Sequence, residues 1–260
     1  MPATVPQYDP DDFRGVPGTV NRDILGAAQR KIPPPEFPTL KPSPTKPYLA
    51  QTTTQSIRRS EPQPLLIVTD LNGTLIYRGG RGKQNFVPRP NLDEFLSQLF
   101  SDDSFRTMVW TSARPENAAA ILARLLTPEQ RSKLVAEWAR DKLGLNHKQY
   151  NQKVQVYKRL SAIWRDKGIQ KSHPRAAKGE KWGPHNTVLI DDSREKASSE
   201  PYNLICIPEF VAEKKAEGKP EGEAEARVLM KVLEYLDEAK YWSNISAFIR
   251  DRPFAMEDVG

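Results

Sequence analysis

The chain predicts an α/β fold, a central parallel sheet flanked by helices, and three observations lead there. Short runs at residues 65–68, 107–110 and 187–190, apolar apart from a leading Thr107 and Thr187, each read as a buried strand. Each run halts at polar or acidic residues: Asp70, then Thr111-Ser112, then Asp191-Asp192. Segments with helical spacing of apolar residues separate the runs, the pattern of strands joined by crossover helices. In open α/β sheets ligands bind at the carboxyl ends of strands, so the three polar stops mark one candidate site.

The elements follow in order. Leu65, Leu66, Ile67 and Val68 form a first strand that ends at Thr69-Asp70, and Asn72-Gly73 is a turn dipeptide behind it. Residues 79–83, Gly-Gly-Arg-Gly-Lys, predict a flexible flap over the strand end. Pro90-Asn91 opens a helix with Leu92, Phe95, Leu96, Leu99 and Phe100 on one face, and Pro115 opens another through Leu126. Pro128 is expected to begin a further helix to about Leu143, burying Leu134, Val135 and Trp138. Residues 154–164 read as an amphipathic helix carrying Lys158. Residues 165–181 hold six Lys or Arg and predict a basic surface loop. Residues 204–207 supply another strand, and residues 224–249 one or two closing helices.

Composition sets bounds on this picture. A chain of 260 residues with 38% hydrophobic content can bury one sizeable core plus tails. Residues 1–63 contain 12 of the 23 prolines, including Pro33-Pro34-Pro35, and predict a disordered tail, with residues 251–260 as a short second one. The net charge of +6 is spread over 39 Lys and Arg against 33 acids, which fits a solvated surface as well as a nucleic-acid footprint; the basic loop is where a nucleic acid would touch, a reading not favoured. Cys206 is the only cysteine, so no intrachain disulfide forms, and its apolar setting predicts a buried structural thiol. No run reaches the 18 or so apolar residues of a membrane span, and the acid-bearing N-terminus is unlike a secretory or transit signal. Nucleus or cytoplasm is the expected location.

Asp70-Leu71-Asn72-Gly73-Thr74 behind an apolar strand resembles the first motif of the haloacid-dehalogenase-like phosphotransferases, usually D-x-D-x-T. Asn72 replaces the second Asp. Val87-Pro88-Arg89-Pro90-Asn91-Leu92-Asp93-Glu94-Phe95-Leu96 resembles the V-x-R-P-x-x-D-E-F-L segment of one branch: the phosphatases of the RNA polymerase II C-terminal domain and the NLI-interacting-factor-like proteins, which share the FCP1 homology domain. The strand ending in Thr111-Ser112, the segment Val156-Tyr157-Lys158-Arg159-Leu160-Ser161 and the strand ending in Asp191-Asp192-Ser193 are similar to that branch's later motifs, in the same order. The resemblance covers residues 64–250 and implies a haloacid-dehalogenase-like Rossmannoid fold. Thr111 follows Asp70 by 41 positions and Lys158 follows Thr111 by 47, leaving no room for the large cap domain found in other branches.

The resemblance also implies chemistry. Asp70 would attack phosphorus and form an aspartyl-phosphate. Mg²⁺ would be held by the Asp70 carboxylate, the Asn72 main-chain carbonyl and Asp192, with Asp191 behind them. Lys158 would offset charge on the nucleophile and the phosphoryl oxygens, and Thr111, with Thr74 and Ser112, would bind phosphate. A carboxamide at position 72 cannot exchange a proton, a role worth about 10²–10⁴ in rate. An uncapped cleft suits a phosphorylated side chain on a protein or peptide. Three readings stay open: a Mg²⁺-dependent phosphoprotein (Ser/Thr) phosphatase, a silent pseudophosphatase that binds a phosphopeptide or protein, and a relative of the mitochondrial import translocase subunit built on this fold.

Overall fold

The computed structural model describes residues 39–79, 85–212 and 221–256, with side chains from residue 224 in the last segment. Its elements in chain order are α1 (Lys46–Thr53), β1 (Leu65–Thr69), β2 (Ile76–Tyr77), β3 (Val87–Pro88), α2 (Leu92–Ser101), β4 (Phe105–Trp110), α3 (Pro115–Leu125), α4 (Pro128–Ser132), β5 (Glu137–Trp138), α5 (His147–Tyr150), α6 (Leu160–Arg165), α7 (Lys167–Lys171), β6 (Thr187–Asp191), β7 (Leu204–Cys206), α8 (Glu221–Ala239) and α9 (Ile245–Asp251).

Five strands form a sheet in the order β5-β4-β1-β6-β7, with every pairing parallel. All five residues of β1 are buried, which a strand covered by helices on both faces requires. Its side chains alternate: Leu65 and Ile67 join a core with α2, α3, α8 and α9, whereas Leu66 and Val68 join a second core with Met108, Trp110, Ile163, Ile169 and Trp182. Val228, Leu229, Val232, Leu233 and Leu236 recur at helical spacing and turn one face of α8 into the first core. Thr69 is in register with Val109 on one side and Ile190 on the other, so β1, β4 and β6 deliver their polar stops at one edge. The expected α/β architecture is the observed one.

Four expectations need correction. The run after Pro128 is not one helix. Helix α4 ends at Ser132, and the chain then runs beside β4 into the edge strand β5, Glu137–Trp138, with Val135 N–H bonded to Thr107 O and Thr111 N–H to Trp138 O. Apolar residues at 134, 135 and 138 satisfy a helical or an extended spacing. Pairing with the open edge of β4 and the edge-to-face contact of Trp138 on Trp110, with centroids 5.1 Å apart, select the strand. Lys158 lies in extended chain two residues before α6, because its backbone N–H bonds Lys196 O at 2.7 Å instead of closing a helical turn. The basic stretch 165–181 is not a plain surface loop: Ile169 and His173 are buried in it, and Trp182 just beyond it is buried too. Cys206 is half-buried, its thiol directed at the Asp192 carbonyl at 3.7 Å.

The expected tail divides. Residues 1–38 lie outside the described residues, as do Gly80 to Lys83 of the expected flap. Residues 39–63 are docked. Helix α1 starts at Thr45, whose hydroxyl accepts the Tyr48 N–H, and buries Tyr48, whose phenol oxygen accepts the Tyr202 N–H at 2.9 Å. Asn244 donates to Gln51 O and Thr54 O, and Arg59 and Gln63 bond the Tyr241 and Lys240 carbonyls. Polar bonds to the α8–α9 connection hold this strap, so an apolar-poor sequence sufficed. No helix among the described residues is long and apolar enough to cross a membrane.

Candidate active site

Asp70 is the first residue beyond β1, 1% exposed, with its backbone N–H bonded to Ile190 O. One carboxylate oxygen, Oδ1, accepts the Leu71 N–H at 2.8 Å and lies 3.2 Å from Lys158 Nζ. The other, Oδ2, accepts from Lys196 Nζ at 2.6 Å. Asp191, fully buried at the end of β6, accepts from Lys158 at 2.6 Å, from Lys196 at 2.9 Å and from the Ser193 N–H at 3.0 Å. Asp192, half-buried, accepts from Lys196 at 3.0 Å and from the Thr74 hydroxyl at 3.5 Å. Asp70, Asp191 and Asp192 each offer an oxygen within 4.8 Å of the others. Burying three carboxylates together demands compensating cations, and the two ammoniums supply them.

The turn behind Asp70 is shaped by its sequence. Gly73 has φ of +82°, and a Cβ there would lie 2.9 Å from Asp192 Oδ2, so glycine is required both for the left-handed backbone and for the close approach. The exposed carboxylate-bearing Glu209 stands at the same spot, its Cγ 3.3 Å from that Cβ position. Phe210 N–H bonds Gly73 O at 2.7 Å. Arg89, 1% exposed, ties these pieces: its guanidinium donates to Thr74 O at 2.9 Å and Pro208 O at 2.8 Å and pairs with Glu225. Burial pulls the Arg89 pKa down, while Glu225 pushes it back up.

Lys158 and Lys196 are positioned through each other by the backbone bond already described. The buried carboxylate of Glu200 accepts the Leu160 N–H at 2.9 Å and so anchors the start of α6 just past Lys158. Burial would lower the Lys196 pKa, but Asp70, Asp191 and Asp192 outweigh it and raise the ammonium well above its ordinary value.

Among the residues singled out from sequence, Asp70, Thr74, Lys158, Asp191 and Asp192 converge. Asn72 is exposed, and its Oδ1 accepts the Arg78 N–H at 2.9 Å, closing the loop to β2. Thr111 is buried one residue beyond β4; its hydroxyl accepts the Ala113 N–H at 3.3 Å and, among the described residues, makes no bond to the acidic cluster. Ser112 is half-buried beside it. Lys196, Arg89 and Glu209 escaped sequence reasoning. Lys196 follows Asp192 by four positions in a polar stretch, where a lysine ordinarily reads as a solvated charge; only its spacing from the acidic pair pointed to it.

The donor set is chemically that of a hard divalent cation: three carboxylates, no sulfur and no imidazole. A parallel sheet with an aspartate on its central strand and an acidic pair on the neighbouring one defines a domain of the haloacid-dehalogenase-like class. The profile of the NLI interacting factor-like phosphatases matches residues 65–246, and the chain belongs to that family. It is 33% identical over 224 residues, 83% of this chain and 86% of the other, to an uncharacterised FCP1 homology domain-containing protein of Schizosaccharomyces pombe. Among solved structures it is similar to Fcp1, an essential RNA polymerase II CTD phosphatase, with 15% identity, a TM-score of 0.39 and coverage of 76% of this chain. A fission yeast Fcp1 R271A structure bound to beryllium fluoride gives 14% identity, a TM-score of 0.39 and coverage of 66% of this chain. The chain spans about half the length of those two structures, 55% and 51%.

Proposed function

We propose that the domain transfers a phosphoryl group from a phosphorylated serine or threonine of a protein to Asp70, and that water then releases it. The observation that carries this reading is the buried Asp70 carboxylate, held between two ammoniums beside Asp191 and Asp192 at the carboxyl edge of the sheet. The Leu71 N–H and Lys158 hold the Asp70 carboxylate in place at the strand end, so part of the positioning cost is met before substrate binds. An Asp70 oxygen bonds to phosphorus as the ester oxygen departs; water then cleaves the acyl phosphate and restores the carboxylate. Lys158 offsets charge on the nucleophile, and the buried Thr111 hydroxyl, with no acceptor engaged among the described residues, is free to donate to a phosphoryl oxygen. Thr74 and Ser112 complete the polar surround.

Asp70, Asp192 and the Asn72 carbonyl would hold Mg²⁺, with Asp191 fixing the lysines behind them. Bound there, the ion would offset the repulsion between carboxylate and phosphate. The proton is the weak point. The Asn72 side chain closes a loop and has no exchangeable acid, so the departing alkoxide of a phosphoserine lacks the donor that a carboxyl would provide. Aryl phosphates, whose leaving groups need no proton, are the better donors. The partner is a phosphoprotein, and the nucleus or cytoplasm is the compartment.

The test is phosphorylation of Asp70 by an aryl phosphate with Mg²⁺, read as acid-stable mass gain. The wild-type chain should be labelled and keep its label, and Asn72→Asp should turn over about 10² faster or more. A wild type and an Asn72→Asp variant that are both never labelled would end the phosphotransfer reading. The second reading, a phosphopeptide-binding pseudophosphatase, is favoured by the structural use of the Asn72 amide. It takes over if Asn72→Asp stays inert while phosphopeptide binds.

A further inference from the structure

Lys196 Nζ lies 2.6 Å from Asp70, 2.9 Å from Asp191 and 3.0 Å from Asp192, one bond to each carboxylate of the cluster, including the two, Asp70 and Asp192, that would hold a metal. An ammonium has three donors, and here three separate acceptors use them all. We propose that Lys196 is a tethered counter-cation seated in the divalent-ion position, so that metal binding at this site is an exchange in which Lys196 withdraws. The inference rests on the phosphotransferase reading only for the identity of the site.

Geometry forces the exchange. Mg²⁺ requires oxygens at about 2.0–2.1 Å in near-octahedral array. Lys196 already bonds Asp70 Oδ2 and Asp192 Oδ1, oxygens of the two carboxylates that would hold the ion, and Asp191 Oδ1 beside them. An ion bonded to them would sit within van der Waals contact of a like-charged nitrogen. Lys158 does not compete in the same way, since it bonds Asp70 Oδ1 and Asp191 Oδ2 on the other side. Charge agrees: three carboxylates and two ammoniums carry a formal charge of −1, so Lys196 offsets charge that an ion would otherwise meet. Withdrawal is feasible because the Lys196 side chain keeps 14% of its surface exposed and stands on a short 3₁₀ turn, Arg194–Ala197, at the rim. While Lys196 is seated, both oxygens of Asp70 are engaged, and the nucleophile is masked until the exchange occurs.

The experiment titrates unphosphorylated protein with Mn²⁺, following the free ion by electron paramagnetic resonance, for wild type, Lys196→Met and Lys158→Met. Lys196→Met should bind Mn²⁺ at least about tenfold more tightly than wild type, because no charged hydrogen bonds need breaking, and Lys158→Met should not share the gain. Without metal Lys196→Met should melt below wild type, with the gap closing as Mg²⁺ is added. If that variant does not fold, ¹⁵N spectra of lysine ammoniums in wild type replace it: the Lys196 signal, assigned with Lys196→Arg, should lose its hydrogen-bonded shift at saturating Mg²⁺. Mn²⁺ binding no tighter in Lys196→Met, or a Lys196 ammonium untouched by Mg²⁺, would overturn the exchange. Tighter Mn²⁺ binding in a protein whose Asp70 is never labelled would leave the exchange standing and remove only the phosphatase reading.

Discussion

The strand-end cluster and the amino-terminal strap are both polar, yet they hold together by opposite means. In the cluster, full charges are buried within 3 Å of opposite charges, and each group is needed because its partners would otherwise be stranded in low dielectric. In the strap, amides and backbone groups trade single hydrogen bonds with the α8–α9 connection, and the Tyr48 phenol with the Tyr202 N–H, each worth about 0.5–1.5 kcal/mol net. The cluster should therefore tolerate few substitutions. The strap adds stability in small, separable parts and should be removable without touching the chemistry.

Four measurements would break or sharpen that contrast. The largest effect is expected from Asp70→Asn, which should abolish labelling by aryl phosphate while circular dichroism shows a folded domain. Label elsewhere in that variant would mean the nucleophile is misassigned. Next comes Tyr48→Ala in the strap. Losing this buried ring should cost about 3 kcal/mol, a fall in Tm of about 6–12 °C, with Asp70 labelling retained at lower temperature. A parallel loss of labelling would show that the two regions are coupled after all.

Gly73→Ala should cost about 1–2 kcal/mol from the left-handed backbone and, by crowding Asp192, weaken Mn²⁺ binding as well. Unchanged metal affinity would show that Asp192 gives way freely. The smallest effect concerns acid. Burial lowers the pKa of His173 and His185, with Glu180 opposing in part, and His173 Nδ1 accepts the Arg175 N–H, which a protonated ring would forfeit. Both groups bind protons more readily when unfolded, so stability is full above about pH 6.5 and declines as the pH falls below it. Since His185 O anchors Gln63, hydrogen exchange should rise first in the strap as the pH goes from 7.5 to 5.5. Earlier exchange in β1 or β6 would refute that order.

The difference between the regions also explains what could be read in advance. Sequence alone determined the central sheet, because a covered parallel strand is nearly continuous in apolar residues, and the runs at 65–68, 107–110 and 187–190 are, apart from a leading Thr107 and Thr187. It marked Asp70, Asp191 and Asp192 at the strand ends as well, since carboxylates closing such strands are costly unless they are compensated. Tertiary structure decided the rest. Residues 137–138 became a strand only because β4 offered an open edge, and Lys158 left its helix only because Lys196 O offered a partner. Residues 39–63 docked through hydrogen bonds, which carry no apolar periodicity to betray them. Lys196 looked like any solvated lysine until the fold placed three carboxylates around it, because an ion pair's worth depends on distance and burial, and neither is written in the order of residues.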